Sequence, residues 1–215
     1  EKSLRHLQAL RTVFARHSRA IYDAIAVEAL RRHVRGAREL MRASNFSVGL
    51  REGMRVADVG AGTGFFAIPF ARRVGAGGRV FAVDMQPEML ELLRAKLTDE
   101  QRARIELVEG SAARTGLKAG SCDLVWMAKV WHELDERETV LAEAARVLGE
   151  KGRIAILDWR PGASRPPGPP DEHRVAATEV VSLLTGEGWT VERASDFSDY
   201  SYLVVALAPD AARSR

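Results

Sequence analysis

An α/β fold with a mostly parallel sheet, covered by helices on both faces, is what this 215-residue sequence predicts. From about residue 50, short β-rich runs alternate with amphipathic helical segments, an alternation typical of parallel strands joined by crossover helices. Near the end, two strand-like runs are joined by a connection too short for such a helix. The last two strands are therefore expected to pair antiparallel.

A basic helical arm is predicted ahead of the sheet. Apolar residues recur at helical spacing over residues 4–14 and 18–41, which predicts two helices. We therefore divide the chain into an N-terminal helical cap, residues 1–48, and a main domain, residues 49–215. The first 55 residues hold 12 of the 32 Lys and Arg but 5 of the 29 Asp and Glu. Such a stripe attracts nucleic acid or another acidic partner, although a solvated helix face is the commoner explanation. The long apolar face of the arm also suits a homodimer contact.

The main domain is punctuated clearly enough to place its elements. Five strands are predicted at Arg55–Val59, Arg79–Asp84, Arg104–Val108, Cys122–Ala128 and Arg153–Asp158. Helices are predicted at about Phe65–Val74, Pro87–Leu97, Arg137–Leu148 and Val175–Thr185. The last helix precedes the two terminal strand-like runs, GWTVERA and YSYLVVALA. Asp135 with Glu138 resembles a capping box, and Pro69 falls inside the first helix, where a proline costs a backbone hydrogen bond.

A glycine loop follows the first predicted strand, in the stretch VADVGAGTGFFAIPFA from Val56 to Ala71. Gly60, Gly62 and Gly64 let the backbone approach a ligand closely, because glycine has no Cβ and tolerates positive φ. The spacing is one residue shorter than the G-x-G-x-x-G loop of dinucleotide-binding sheets. Asp58 stands two residues before the first glycine, where a carboxylate would repel a bound pyrophosphate. The loop therefore favours a cationic ligand over NAD or ATP.

A second acid follows the second predicted strand. Asp84 lies 24 residues after Gly60, where a carboxylate accepts hydrogen bonds from ribose hydroxyls in nucleotide-binding sheets. Asp84 alone supports an adenosine ligand without choosing among such ligands. Together, Asp58, the glycines and Asp84 favour S-adenosylmethionine, which carries an ammonium and a sulfonium but no phosphate.

On these motifs, residues from about 50 to 208 resemble the class I S-adenosylmethionine-dependent methyltransferases. VADVGAGTGFFAIPFA resembles the first motif of the family, VFAVDMQPEML the second, and RVLGEKGRIAILDW its late helix and fifth strand. The resemblance implies a Rossmann-like, doubly wound sheet of seven strands, mostly parallel with the last strand antiparallel. Among the branches of the family, the chain most resembles the small-molecule enzymes that include the quinone-biosynthesis methyltransferases.

The resemblance also implies a set of positions that bind S-adenosylmethionine. The glycines border its methionine portion, Asp58 helps to hold its ammonium and Asp84 binds its ribose. The full set carried over from the family is Asp58, Gly60, Ala61, Gly62, Thr63, Gly64, Asp84, Met85, Gly110, Ser111, Ala112, Met127, Ala128 and Lys129. Ser111 departs from the family pattern, because the third-strand segment VEGSAA usually has an acid there to bind the adenine amino group. The backbone of Ala112 is an alternative contact.

The acceptor side is expected at the ends of the fourth and fifth strands. His132 matches a histidine of many small-molecule relatives, and near neutral pH it is able to deprotonate a hydroxyl or orient a substrate. Asp158 ends the fifth strand, and His173 and Arg174 close a long loop, Arg160–Arg174, that holds five of the eight prolines. His132, Asp158 and His173 are the candidate catalytic residues. Each is weighed against a structural role, such as a hydrogen bond that anchors a helix start or the loop.

These observations predict a cytoplasmic enzyme that transfers a methyl group from S-adenosylmethionine to a small organic acceptor and releases S-adenosylhomocysteine. No uninterrupted apolar run approaches the roughly 20 residues needed to span a bilayer. The single cysteine allows no internal disulfide and offers too few thiols for a cysteine metal site, so no metal is predicted.

Other functions are left open by the sequence. An RNA or protein methyltransferase would use the basic arm to bind its substrate, and a cofactor-binding subunit without catalysis would need no base. An NAD-linked oxidoreductase is a more distant alternative. Exocyclic adenine methylation is disfavoured, because Met127-Ala128-Lys129-Val130 stands where enzymes of that kind carry an Asn/Asp-Pro-Pro-aromatic motif.

Overall fold

The computed structural model of the protein describes residues 48–163 and 168–209, and the structural statements below refer to these residues. The predicted helical arm, apart from Val48, and any dimer contact through it lie outside them. Within the described ranges, no helix combines the length and the apolar character that crossing a membrane requires.

Seven strands of the described chain form one sheet in the order β3-β2-β1-β4-β5-β7-β6. They are β1 (Arg55–Val59), β2 (Arg79–Asp84), β3 (Ile105–Glu109), β4 (Cys122–Ala128), β5 (Leu148–Trp159), β6 (Thr190–Ser198) and β7 (Ser201–Leu207). Neighbouring strands from β3 to β5 pair in parallel, whereas β7 runs antiparallel to both β5 and β6. The predicted seven-stranded sheet with an antiparallel last strand is confirmed.

Five α-helices of the described chain flank the sheet. They are α1 (Ala67–Val74), α2 (Pro87–Lys96), α3 (Asp99–Arg102), α4 (Arg137–Val147) and α5 (Ala177–Gly186). The four predicted helices are all present, with ends within two residues of the prediction. The short helix α3 was not predicted. It begins with a capping box in which Thr98 accepts from the Gln101 backbone and Gln101 accepts from the Thr98 backbone.

The sheet separates two apolar layers, as a doubly wound fold requires. On one face, α1 buries Phe70 against the Trp126 ring of β4, with Phe66 beside it, at centroid distances of 5.5 and 4.9 Å from Trp126. The other face is covered by α4 and α5, whose buried residues are Val140, Leu141, Ala144, Val147, Val180 and Leu184. Both faces of the sheet are therefore covered by apolar side chains, and the candidate polar residues of the site lie at the carboxyl ends of the strands.

One helix start differs from the sequence-based expectation, and another agrees with it. The predicted capping box of Asp135 and Glu138 is wrong, because Glu136 is the N-cap of α4 and no side-chain hydrogen bond caps that end. Pro69 is the third residue of α1, within the first turn, where proline is tolerated. Its neighbours Ile68 and Phe70 donate to the Gly64 and Phe66 carbonyls, so the proline interrupts this run by one hydrogen bond, as the sequence predicts.

The chain enters β5 irregularly beside the start of β4. Cys122 pairs with Leu148 whereas Leu124 pairs with Arg153, so β5 carries extra residues there, and Lys151 adopts a left-handed φ of 59°. The regular part of β5 therefore begins at Arg153, as the sequence predicts. Cys122 is completely buried, and burial raises the pKa of its thiol to about 11.

Candidate active site

The glycine loop and the segment after β4 meet at the point where the strand order reverses. The chain leaves β1 towards β2 on one side, and leaves β4 towards β5 on the other. In open α/β sheets, ligands bind outside the carboxyl ends of the strands at such a point. We distinguish two parts of this crevice. The β1–β2 half comprises Asp58, residues 60–64, Asp84 and Met85, and the β4–β5 half comprises Lys129, His132, Asp158, Trp159 and Ser201.

The glycines of the loop have two different tasks. Gly60, Gly62 and Gly64 all have positive φ, at 72°, 51° and 84°. A Cβ added to Gly60 would lie 2.4 Å from a Val130 methyl group, and one added to Gly64 would lie 2.2 Å from a Leu93 methyl group. At Gly62, an added Cβ would meet nothing within 4 Å. Gly60 and Gly64 are therefore required by packing, while Gly62 borders open space that a ligand can fill.

Main-chain contacts hold the loop to its surroundings. The backbone N–H groups of Gly60 and Ala61 both donate to the Val83 carbonyl of β2, at 2.8 and 3.0 Å. Thr63 lies partly exposed in the loop, and its carbonyl accepts from Lys96 Nζ at 3.3 Å. The course of the loop is thus set chiefly by backbone groups.

Asp84 joins the loop to the end of β2. Its Oδ2 accepts from the Gly62 backbone N–H at 2.8 Å, and its Oδ1 accepts from the Gln86 N–H at 2.9 Å. Because each carboxylate oxygen has two lone pairs, both oxygens retain capacity for another donor. Met85, the next residue, is 63% exposed. Asp84 is therefore held in position beside an exposed apolar surface.

Asp58 is buried beneath the start of α1, with 2% of its surface exposed. Burial raises the pKa of its carboxyl to about 7, against a hydrogen bond from the Ala67 backbone that lowers it, and the charge of Asp84 raises it further. Its Oδ2 has no hydrogen-bond partner among the described residues. Because an unpaired buried carboxylate is costly, this end of the site fits a ligand that brings positive charge.

Comparison with known proteins agrees with this chemistry. The profile of a family described as a methyltransferase domain matches residues 57–156. The chain is 32% identical over 106 residues to the demethylmenaquinone methyltransferase of Lactococcus lactis subsp. lactis, covering 49% of this chain and 42% of that protein. It is 32% identical over 170 residues to the ubiquinone/menaquinone biosynthesis C-methyltransferase UbiE of Hahella chejuensis, covering 75% of this chain and 64% of that protein. The chain thus spans less than two thirds of each of these relatives.

A solved structure decides the family. The crystal structure of a SAM-dependent methyltransferase from Aquifex aeolicus matches with a TM-score of 0.73 and 32% identity, covering 78% of this chain and 89% of that one. This chain is an S-adenosylmethionine-dependent methyltransferase family member. S-adenosylmethionine is the cofactor of the family, and the β1–β2 half fits it, because Gly62 borders open space and the unpaired Asp58 carboxylate favours a cationic group.

The turn after β3 lies next to the end of β2 in this methyltransferase fold. The Gly110 N–H donates to the Asp84 carbonyl at 3.1 Å, and Ser111 forms a bridge with Arg114 through two backbone hydrogen bonds of 3.1 Å. Ser111 and Ala112 are both partly exposed. The turn is therefore adjacent to Asp84, and its contact with adenine remains a prediction.

The last residues of β4 lead from the β1–β2 half into the β4–β5 half. Met127 is buried and Ala128 partly buried, and the Lys129 N–H donates to the Leu157 carbonyl at 2.8 Å. The Lys129 side chain lies in the β4–β5 half, where Nζ donates to Ser201 Oγ at 2.5 Å and lies 3.7 Å from the centroid of the Trp159 ring. Lys129 thus has its backbone where the family predicts a cofactor contact and its amine elsewhere.

Two of the three candidate catalytic residues are brought together. His132 Nδ1 lies 2.9 Å from Asp158 Oδ1, and the His132 backbone N–H donates to Asp158 Oδ2 at 2.9 Å. The Trp159 N–H also donates to Asp158 Oδ1, at 2.7 Å. Both side chains are well buried, at 7% and 1% exposure. Because the carboxylate accepts from Nδ1, we assign the proton of the neutral ring to Nδ1, which leaves Nε2 with the free lone pair.

The third candidate, His173, is exposed on a short 3-10 helix, Asp171–His173. No hydrogen bond among the described residues joins it to the other two candidates. Its neighbour Arg174 is buried and donates to the Pro169 carbonyl from Nε and to the Arg160 carbonyl from Nη1, both at 3.0 Å. Arg174 therefore anchors the proline-rich loop.

Sequence reasoning did not single out Trp159 and Ser201. Trp159 directly follows Asp158 at a strand end, and an aromatic residue beside a candidate acid was the available signal. Ser201 lies opposite Trp159 only because of the antiparallel register of β5 and β7, which the sequence does not specify. Within the described ranges, no group of three or more His, Cys, Asp or Glu side chains is placed to hold a metal ion.

Proposed function

We propose that this protein transfers the methyl group of S-adenosylmethionine to a small organic acceptor. The observation that carries the proposal is a shared crevice: the carboxyl ends of β1 and β4 bring the cofactor positions and the His132–Asp158 pair to the same edge of the sheet. Relatives at 32% identity carry names that specify demethylmenaquinone and ubiquinone/menaquinone biosynthesis. On that basis we propose a quinone-type acceptor.

The β1–β2 half would hold the cofactor. Asp84 has free acceptor capacity for the ribose hydroxyls, and the exposed Met85 offers an apolar surface to the adenine. The open side of Gly62 leaves room for the methionine portion. The buried carboxylate of Asp58 lacks a partner that the cofactor's ammonium would provide, directly or through water.

The β4–β5 half would prepare the acceptor. When bound, the cofactor supplies a methyl group already activated on a sulfonium, so this chain has to position the acceptor and exclude water. His132 Nε2 would orient the acceptor by accepting a hydrogen bond from one of its hydroxyl groups, and Asp158 would hold the ring in that orientation. The alternative that depends on the basic arm concerns residues outside the described ranges.

Calorimetry tests the cofactor part of the proposal. We expect wild type to bind S-adenosylmethionine and S-adenosylhomocysteine, and not NAD. Asp84→Ala is expected to weaken both at least about tenfold, since hydrogen bonds to charged groups contribute about 1.5–3 kcal/mol each. Asp99→Ala, which removes an exposed acid on α3, is the matched control and should bind like wild type. Binding of NAD instead of the two sulfur ligands would overturn the proposal.

A further inference from the structure

The β4–β5 half encloses the side-chain amine of Lys129, the residue that follows β4. Lys129 Nζ is enclosed by the Trp159 ring and the Ser201 hydroxyl. The charges that bear on it most are those of Asp158 and Arg174, and His132 is bonded to the same Asp158. Lys129, Arg174 and His132 therefore lie around one buried carboxylate, and the Glu133 carboxylate faces His132 from the other side, with Oε1 3.8 Å from Nε2.

The Asp158 carboxylate is already occupied. Asp158 accepts from the His132 N–H, from His132 Nδ1 and from the Trp159 N–H. Arg174 donates hydrogen bonds from Nε and Nη1 to two backbone carbonyl groups, and Asp171 Oδ1 lies 3.9 Å from its Nη1. Asp158 thus has three donors already and makes no hydrogen bond with the Lys129 amine, which leaves that amine able to pair with an oxygen of a ligand.

The backbone of Lys129 is in an unfavourable conformation, which indicates that the surrounding structure imposes the position of this residue. Lys129 has a φ of 60°, and it shares a positive φ with one other non-glycine residue of the described chain, Lys151. A left-handed conformation is unfavourable for a residue with a Cβ, and such strain clusters at functional sites. This strained residue directly follows β4, with its amine in the half opposite the glycine loop.

We propose that Lys129 recognises an acidic hydroxyl of the methyl acceptor, a phenol or an enol, by exchanging a proton with it. The hydroxyl O–H bond breaks, its electron pair stays on oxygen, and the proton forms a new bond to Nζ. The resulting ammonium then pairs with the oxygen anion. This inference rests on the proposed function, since it concerns the acceptor of that reaction.

The charge state of Lys129 supports this exchange. Burial lowers the pKa of the amine to about 7, against the charge of Asp158 that raises it, and Arg174 lowers it further. An amine of this kind is largely neutral just above neutral pH and is able to take a proton. Once it is charged, the Trp159 ring stabilises it by a cation–π contact.

The test uses 4-nitrophenol as the probe, because its phenolate absorbs visible light and its phenol does not. With S-adenosylhomocysteine present in excess, we expect wild type to bind the probe as phenolate even where the free probe is mostly protonated. Lys129→Met should weaken this binding at least tenfold. Lys118→Met, which changes an exposed lysine, is the control and should match wild type. Lys129→Arg keeps the charge but accepts no proton, so it should bind the probe only where the free probe is itself ionised.

Three results would overturn the inference. They are equal binding by Lys129→Met, absence of binding by wild type, and a Lys129-dependent preference for benzoate, an anion with no hydroxyl proton to give. Calorimetry with S-adenosylhomocysteine keeps this failure separate from failure of the proposed function. Retained S-adenosylhomocysteine binding with no phenolate signal defeats only the inference, whereas loss of S-adenosylhomocysteine binding by wild type defeats the proposed function.

Discussion

The two halves of the crevice are built by different means. In the β1–β2 half, backbone groups set the geometry: left-handed glycines define the loop, and amide groups fasten it to Val83 and Asp84. In the β4–β5 half, side chains set it, with Asp158 holding His132 and with Lys129 between Trp159 and Ser201. A site whose geometry depends on left-handed glycines tolerates few substitutions, whereas a site formed by side chains can change its ligand when those side chains are substituted. The cofactor site is thus more constrained in sequence than the acceptor site.

The first prediction tests Asp58, the buried acid of the β1–β2 half. Its pKa is raised from 3.8 to about 7, so the folded protein holds a proton that the unfolded chain releases. The Asp58 carboxyl therefore costs no stability below about pH 4, and its cost to the free energy of unfolding grows as pH rises to about 7, to about 4 kcal/mol in all. Asp58→Asn cannot ionise and should be more stable than wild type at pH 8, with little difference at pH 4.

Urea unfolding at pH 4, 6 and 8 measures this difference. Asp99→Asn, at an exposed acid, should keep the pH dependence of wild type. If Asp58→Asn and wild type lost stability in parallel between pH 4 and 8, the burial of Asp58 would not control the stability of this half. Asp58→Asn should also bind S-adenosylhomocysteine more weakly, which separates its role in binding from its cost to folding.

The second prediction concerns Lys129 in the β4–β5 half, where the pH dependence of stability has the opposite sign. The pKa of Lys129 is lowered from 10.5 to about 7, so the unfolded chain takes up a proton that the folded protein does not. The cost of burying Lys129 is therefore absent above about pH 10.5 and grows as pH falls to about 7, to about 3 kcal/mol for a residue that keeps part of its surface exposed. Lys129→Met should be more stable than wild type at pH 7 and lose most of that advantage by pH 10.5. The difference between the two unfolding curves isolates Lys129 from other groups that titrate in this range, and a constant difference would contradict the prediction.

The third prediction divides the glycines. Gly64→Ala combines a φ of 84° with a clash against Leu93 and should destabilise the protein by about 2 kcal/mol. Gly62→Ala meets no atom within 4 Å at a φ of 51° and should cost about 1 kcal/mol. S-adenosylhomocysteine binding should show the reverse order. Gly62→Ala should weaken it more than Gly64→Ala does, because only Gly62 of the two borders the ligand space. Thermal unfolding and S-adenosylhomocysteine titration of both variants check this, and equal losses in both measurements would remove the distinction.

The fourth and smallest effect is expected at the proline-rich loop. Arg174→Met removes both hydrogen bonds to loop carbonyls while keeping an apolar stem. Because the two carbonyls belong to a partly exposed loop, global stability should fall by less than about 1 kcal/mol. Limited proteolysis should instead cut between Arg160 and Arg174 several times faster than in wild type. Unchanged cleavage would mean that other contacts, such as that of Gly162 with Asp171, hold the loop alone.

The sheet and the β1–β2 half were largely predictable because their signals are local. Each of these signals determines the structure of its own segment: the alternation of strands and helices, the three glycines of the loop, and Asp84 at the end of β2. The burial of Asp58 was predictable too, since alternation along β1 places it on the same face as Val56, under α1. The capping box at Asp135 failed because the intervening 3-10 helix, Trp131–Glu133, and the turn after it set where α4 begins.

The β4–β5 half was only partly predictable because its contacts are distant in sequence. His132 and Asp158 were each proposed alone, and their pairing depends on the parallel register that sets Ala128 beside Leu157. Lys129 reaches Ser201 across 72 residues, through a β-sheet register and a left-handed backbone that a lysine does not signal. The family resemblance and the predicted strand ends therefore identified Lys129, His132 and Asp158, and tertiary packing decided which side chains they meet.

The single thiol at the start of β4 allows the opening of the sheet to be measured by its chemical modification. Cys122 is the only cysteine in the chain, it is completely buried, and its raised pKa suppresses the reactive thiolate. A disulfide reagent will therefore modify the native protein only when the junction of β4 and β5 separates. The rate of modification, with and without S-adenosylhomocysteine, converts into the free energy of that opening and needs no engineered label.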